Sequence, residues 1–106
     1  MTERFAALDE FTRWIDTHYE SLTARGFLLA SDTSPQDGRP KRSMWLDLEH
    51  EHRLGRLILW DTGEAELDLA DVSTGDVKTR HRQVDTRADL EEALTSFVDW
   101  IAAAAG

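Results

Sequence analysis

The histidines at positions 50 and 52 are the residues that most resemble a metal site in this chain. Side chains two positions apart on a strand project to the same face, where two imidazoles can bind zinc if a third ligand is close. The sequence offers no obvious third ligand, and His50 and His52 fall at a predicted hairpin tip. Because zinc sites need closed or nearly closed ligand sets, we predict that the protein holds no metal and no other cofactor.

Paired carboxylates at Glu64 and Glu66 are the candidates for acid–base catalysis. Such catalysis requires surroundings that separate the pKa values of two groups. A sheet face shared with Arg56, Arg80 and Arg82 would instead keep both carboxylates as simple surface charges. The chain also has no cysteine nucleophile, no serine in a G-x-S-x-G turn and no glycine-rich phosphate loop before a helix. We therefore predict that the protein is not an enzyme.

The chain is acidic, with 106 residues and a formal net charge of −9. Its length suits a single domain over residues 1–106. The negative charge disfavours nucleic-acid binding, which needs clustered lysine and arginine, and favours association with a basic protein. The sequence contains no apolar run of the ~20 residues that a membrane-spanning helix needs. Its N-terminus does not resemble a secretory signal and it lacks cysteine, so we expect a cytoplasmic protein that does not bind membranes.

The strongest structural pattern is a hairpin over residues 55–69. A β-prone run precedes Asp61-Thr62-Gly63, and strict alternation of apolar and acidic residues follows it. A two-residue loop would place Leu59 beside Glu66, whereas a three-residue loop with Gly63 in a left-handed conformation aligns the leucines on one face. The hydrophobic pattern therefore favours the three-residue loop. Every prediction of an outward-facing side chain depends on it.

Other short β-prone segments indicate an antiparallel meander, because turn signals recur every eight to twelve residues. The remaining strands are predicted at residues 27–31, 43–50 and 77–84, with turns at 51–52 and 73–75 and a loop at 32–42. If the last turn keeps the core face continuous, acidic and basic side chains alternate across four strands. The predicted neighbours are Arg80 with Asp68, Arg82 with Glu66, Arg56 with Asp68, and Arg56 with Asp47 or Glu49.

Amphipathic helices are predicted at both ends of the chain. The first covers residues 3–25, with Thr2 as its cap and Gly26 after its last turn. The second follows a capping-box pattern at Thr86 and Asp89. The predicted apolar stripes are Phe5, Leu8, Phe11, Ile15, Tyr19 and Leu22 in the first helix, and Leu90, Leu94, Phe97 and Ile101 in the second.

This layout predicts an α+β fold, a two-layer sandwich in which N- and C-terminal helices pack on one face of a four- to five-stranded antiparallel meander. The other sheet face is then left exposed, with Trp45, Ile58 and Trp60 as cross-strand neighbours. An apolar cluster rimmed by charges on an uncovered face is typical of a protein-binding surface. The alternative is that the loop at residues 32–42, or a dimer mate, covers these side chains.

The hairpin also carries a family resemblance. Its GR-x-x-x-W-x-x-GE pattern over Gly55–Glu64, followed by Glu66-Leu67-Asp68 and Asp71, resembles the central motif of the TriTu immunity proteins of bacterial polymorphic toxin systems. An N-terminal helix that carries Trp14 before a glycine agrees with this resemblance. A C-terminal helix rich in leucine and phenylalanine after a short basic strand agrees with it as well.

The resemblance implies a non-enzymatic protein that binds and neutralises a cognate toxin domain inside the producing cell. A basic toxin would be attracted by the acidic side chains. We predict occlusion of the toxin by an aromatic and acidic surface, formed by Trp45, Asp47, Glu49, Ile58, Trp60, Glu64 and Glu66. Two alternatives stay open, a chaperone or adaptor for a secreted effector and a homodimeric structural module. The chain alone does not decide between monomer and homodimer.

Overall fold

Two helices and a five-stranded sheet make up the fold, in a computed structural model that describes residues 5–35, 38 and 41–103. In chain order the elements are α1 (Ala7–Ala24), β1 (Leu28–Thr33), β2 (Ser43–His50), β3 (Arg53–Trp60), β4 (Glu64–Asp71), β5 (Asp76–Gln83) and α2 (Arg87–Ala102). The strands form an antiparallel sheet in the order β1-β2-β3-β4-β5. Buried side chains of both helices join the leucines of one sheet face in a single core. The predicted α+β sandwich is confirmed.

The β3–β4 hairpin has the predicted three-residue loop. Leu59 pairs with Ala65 and Leu57 pairs with Leu67, so the apolar side chains share the helix-covered face. Gly63 has φ +90 and its N–H donates to the carbonyl of Trp60 at 2.9 Å. A side chain at this position would clash with the backbone of the segment that follows β5. The turn therefore fixes the register that the hydrophobic pattern requires.

The capping box at the start of α2 is confirmed. The hydroxyl of Thr86 accepts a hydrogen bond from the Asp89 N–H at 3.1 Å, and the Asp89 carboxylate accepts one from the Thr86 N–H at 3.2 Å. The predicted stripe of α2 is buried to 1% exposure or less. Phe97 in this stripe lies against Gly55 of β3, where a Cβ would stand 2.7 Å from its ring. The missing side chain at Gly55 lets the helix approach the sheet closely.

The first helix is shorter than predicted and its stripe includes one wrong assignment. α1 begins at Ala7, and the predicted cap at Thr2 lies outside the described residues. Tyr19 is 52% exposed, although Ile15 and Leu22 on either side of it are buried. Two successive steps of four residues rotate Tyr19 about 80° from the direction of Phe11, which takes it off the core face. Within the described residues, neither helix is long and apolar enough to cross a membrane.

The last strand faces the opposite way from the prediction. Lys78 pairs with Leu69 and Arg80 with Leu67, so the basic side chains share the helix-covered face, and the predicted pairs of Arg80 with Asp68 and Arg82 with Glu66 are wrong. The connection has four residues, 72–75, because the carbonyl of Asp71 accepts from the N–H of Gly75 at 2.8 Å. The long basic side chains of this edge strand reach solvent from either face, so burial does not select the orientation.

Candidate partner-binding face

The sheet face opposite the helices, called the outer face below, carries all seven residues predicted to contact a partner. Cross-strand pairing places Trp45 beside Ile58, Ile58 beside Glu66, and Asp47 beside Arg56. The other predicted residues alternate with these along the same strands: Glu49, Trp60 and Glu64. The structure therefore brings the predicted set onto one surface. Its role in binding stays a prediction.

Trp45, Ile58 and Trp60 form an aromatic patch near the β3–β4 loop. All three side chains are half-buried. The guanidinium of Arg56 lies 5.4 Å from the ring centroid of Trp45, and the ammonium of Lys41 lies 5.1 Å from that of Trp60. Cation–π contacts of this kind contribute about 0.5–1 kcal/mol at exposed sites. They restrict the positions of the two indole rings in the free protein.

The carboxylates around the patch are mostly paired within the chain. Asp47 accepts two hydrogen bonds from Arg56, at 2.7 and 2.9 Å. This contact is the main reason that the pKa of Arg56 is raised. Glu64 lies 2.6 Å from the ammonium of Lys41, and Glu66 lies 3.8 Å from the ring of His81. In the part of the chain that the structure describes, Glu49 receives no side-chain hydrogen bond. Glu66 receives none either, because 3.8 Å to the His81 ring is beyond hydrogen-bond range, so two of the predicted charge partners have no hydrogen bond from a described side chain.

The segment between β1 and β2 borders the aromatic patch. Asp32 near the end of β1 pairs with Trp45, and in the segment itself Lys41 lies over Trp60. The backbone of Arg42 is tied to Asp61 by hydrogen bonds in both directions, at 2.9 and 3.2 Å. Residues 36, 37, 39 and 40 lie outside the described part. The predicted alternative that this loop covers the outer face therefore concerns residues that are not described.

A comparison with known protein families decides the class of this chain. The family model of the immunity protein TriTu matches residues 9–100. The chain belongs to the TriTu immunity protein family. The match extends from the first turn of α1 to near the end of α2 and confirms the resemblance in the hairpin. A comparison with curated proteins finds no match. Membership implies an immunity role and a toxin as the partner.

The hairpin residues that carry the TriTu resemblance divide between the core and the outer face. Gly55 gives Phe97 room against the sheet, and Gly63 forms the loop. Arg56 and Trp60 lie on the outer face with the charges and the aromatic patch. The motif therefore combines residues that fix the hairpin with residues that lie on the outer face.

Asp71, the last residue of that motif, has a structural role. Its carboxylate is 7% exposed and accepts hydrogen bonds from Ser73, through the hydroxyl at 2.6 Å and the N–H at 2.9 Å, and from Arg53 at 3.0 Å. These contacts lower the pKa of Asp71 to about 2, and the hydrogen bond from the Ser73 hydroxyl has the largest effect. Arg53 also donates to the carbonyl of Trp100 at 2.7 Å and stacks on its ring. The network joins the sheet to the end of α2.

His50 and His52 have separate partners. His50 Nε2 lies 3.1 Å from the carbonyl oxygen of Arg25, with its ring against Phe27. His52 Nε2 lies 3.6 Å from the carboxylate of Asp71. Among the described residues, no group of three or more histidine, cysteine, aspartate or glutamate side chains is placed to hold a metal ion. Both histidines serve local packing and pairing.

Sequence reasoning missed a second apolar surface at the other end of the outer face. Leu28, Leu54 and Val77 project there from three different strands and are 67%, 40% and 73% exposed. Val77 was missed because the predicted facing of β5 places its side chain toward the core. The hairpin register predicts that Leu54 faces outward, because Leu54 lies two residues before Arg56 and four before Ile58. The position of Leu54 could therefore be derived from the sequence.

Proposed function

We propose that this TriTu protein neutralises a cognate toxin domain of a polymorphic toxin system by occlusion, inside the cell that produces the toxin. The outer face would cover a surface that the toxin needs for its activity, with Trp45, Ile58 and Trp60 as the central contacts. One observation carries this proposal. Both helices pack on the opposite sheet face, and three large, half-buried apolar side chains remain on the outer face of the described sheet. Partly buried aromatic clusters of this kind dominate the energy of protein interfaces.

The charge of the outer face supports a basic toxin as the partner. Because the basic side chains of β5 lie on the helix-covered face, the sheet does not have the predicted ladder of alternating charge. Its strands present one arginine on the outer face, Arg56. Against it and the ammonium of Lys41, which lies over Trp60, stand six carboxylates: Asp32, Asp47, Glu49, Glu64, Glu66 and Asp68. Such an excess attracts a basic surface and increases the rate of encounter.

Replacement of Trp60 by alanine tests this proposal. The toxin domain encoded beside this gene is expressed with either variant, and growth and affinity are measured. We expect the wild-type protein to restore growth and Trp60→Ala to weaken binding at least about thirtyfold, as for a central interface residue. Tyr19→Ala is the matched control, since Tyr19 is an exposed aromatic residue on the helix layer. Undiminished rescue and affinity in a folded Trp60→Ala variant would remove the aromatic patch from the interface.

The two alternatives give different results in further experiments. A chaperone or adaptor would bind an unfolded or leader segment of an effector rather than the folded toxin domain, so binding to isolated toxin segments separates the two functions. A homodimeric module would sediment as a stable dimer that buries Trp45 and Trp60. We expect binding to the folded toxin domain.

A further inference from the structure

The second apolar surface forms a continuous row across the sheet. Cross-strand pairing aligns Leu28, Glu49, Leu54, Ala70 and Val77, one residue from each strand. This row lines a groove on the outer face with a cavity volume of about 590 Å³. We call it the aliphatic groove. It lies at the opposite end of the outer face from the aromatic patch.

The exposure of this row has no explanation in the folded core. The structure leaves five large apolar side chains exposed among the residues it describes, and three of them, Leu28, Leu54 and Val77, belong to this one row. Single exposed apolar residues are common, but contiguous exposed apolar surface marks an interaction site. The three side chains stand on every second strand of the row, with Ala70 continuing the apolar surface between Leu54 and Val77, and this concentration on one row indicates a ligand.

The size of the groove fits a polypeptide segment. The row crosses five strands, and four strand spacings amount to about 19 Å, the length of about six residues of extended chain. Its lining combines apolar side chains, among them Leu28, Leu54 and Val77, with the charged groups of Asp47, Glu49, Arg56 and Asp68. The groove is thus suited to a segment with apolar side chains.

The charges beside the groove determine which charge a bound segment can carry. The neighbouring row contains Asp47, Arg56 and Asp68. Arg56 is committed to Asp47 through two hydrogen bonds, and Asp68 accepts a hydrogen bond from the hydroxyl of Thr79 at 3.0 Å. Glu49 and Asp68 therefore leave an excess of negative charge along the groove. An acidic segment would be repelled, whereas a lysine or arginine would be attracted.

We propose that the aliphatic groove binds an apolar segment of the toxin that carries a lysine or arginine opposite Glu49. This inference rests on the proposed function and adds a second contact region to it. The charged row of Arg56 separates the two regions on one continuous face. The toxin would then contact the full length of the sheet, with aromatic contacts at one end and aliphatic contacts at the other.

Alanine substitutions in the groove test this inference by calorimetry with the purified toxin domain encoded beside the gene. We expect Leu54→Ala and Val77→Ala each to weaken binding about tenfold, and Glu49→Lys to weaken it at least as much. The effect of Glu49→Lys should become smaller as salt is added, because the contact is electrostatic. Val72→Ala is the matched control, since Val72 is 67% exposed, follows β4 and does not line the groove. Its affinity should equal that of the wild type. Thermal unfolding followed by circular dichroism confirms that each variant is folded.

The outcomes separate this inference from the function on which it rests. If the wild type binds and Trp60→Ala weakens binding, but the folded groove variants bind as the wild type does, the groove inference is wrong and the proposed function stands. If the wild type neither binds the toxin nor restores growth, the proposed function itself fails. Tighter binding by Glu49→Lys would overturn the assigned charge of the segment. A dimer of the isolated protein that Val77→Ala dissociates would show that a second copy occupies the groove, and would also overturn the proposal.

Discussion

At the scale of single residues, Asp71 shows how one carboxylate determines local stability. Burial alone would raise its pKa, yet the hydrogen bonds from Ser73 and Arg53 and the charge of His52 outweigh this and lower the pKa from 3.8 to about 2. A carboxylate with a lowered pKa stabilises the fold in its ionised form. The stabilisation is therefore complete above the pKa of the unfolded chain and is lost as the pH falls through about 2.

Replacement of Asp71 by asparagine should reveal this dependence. The variant keeps the shape of the side chain but removes the negative charge opposite Arg53, so we expect a lower free energy of unfolding at pH 7. Between about pH 4 and pH 2 the wild type loses the same contribution, and the two proteins should converge. Urea unfolding of both proteins at a series of pH values measures the difference. A difference that stays constant from pH 6 to pH 2 would contradict the role of the charge.

At the scale of elements, the β3–β4 loop decides the geometry of the outer face. Gly63 combines a left-handed φ of +90 with a close approach to Val84, whose N–H donates to the Gly63 carbonyl at 2.7 Å. Gly75 in the next connection has a similar φ of +79, but a Cβ there meets no atom within 4 Å. Both glycines thus adopt a left-handed conformation, but only Gly63 lacks space for a side chain.

Alanine at these two positions should separate the two effects. Gly75→Ala has only the left-handed conformation to accommodate and should lower the free energy of unfolding by about 1–2 kcal/mol. Gly63→Ala must also displace Val84 and should cost about 1–3 kcal/mol more. Chemical denaturation of the two variants and the wild type gives both values. Equal losses would show that the contact between Gly63 and Val84 does not constrain the loop.

The same contrast between elements explains how much of the fold could be predicted. The sequence of the hairpin has a glycine at the loop and leucines on alternate positions, and only one register buries all of them. β5 has no such pattern: Lys78 and Arg80 are exposed on the helix-covered face, and Val77 is exposed on the other. When the side chains of an edge strand favour neither face, the length of the turn before the strand decides which of them face the helices. That length is fixed by hydrogen bonds to Asp71, which spacing alone does not determine.

The candidate site was predictable to the same extent. The positions of Trp45, Ile58 and Trp60 follow from the hairpin register, and so does the pair of Arg56 with Asp47. The aliphatic groove could not be derived, because it requires the facing of β5 and the register of β1. The excess of acidic groups on the outer face also depends on β5. The sequence predicts that the basic side chains of β5 balance these groups, whereas they lie on the helix-covered face.

At the scale of the whole molecule, charge is distributed unevenly over the two sheet faces. The chain has a formal net charge of −9. The basic residues of β5 lie on the helix-covered face, where Arg82 pairs with Glu92 of α2 at 3.3 Å. The outer face therefore carries more of the negative charge than an alternating ladder would give it. The helices that cover the other face carry eight carboxylates against two arginines, so both sides of the molecule are acidic, and its negative charge as a whole attracts a basic partner before any contact forms.

This negative charge predicts that salt slows association with a basic toxin more than it speeds dissociation. Raising the ionic strength from about 0.05 M to about 0.5 M shortens the screening length several-fold and should lower the association rate constant at least about tenfold. Stopped-flow or surface-based kinetics with the toxin domain measure both rate constants. Trp60→Ala is the internal control, because the loss of an apolar contact should increase the dissociation rate constant and leave the salt dependence of association unchanged. An association rate that does not respond to salt would show that the outer face does not steer the toxin. The acidic residues would then act only within the sheet.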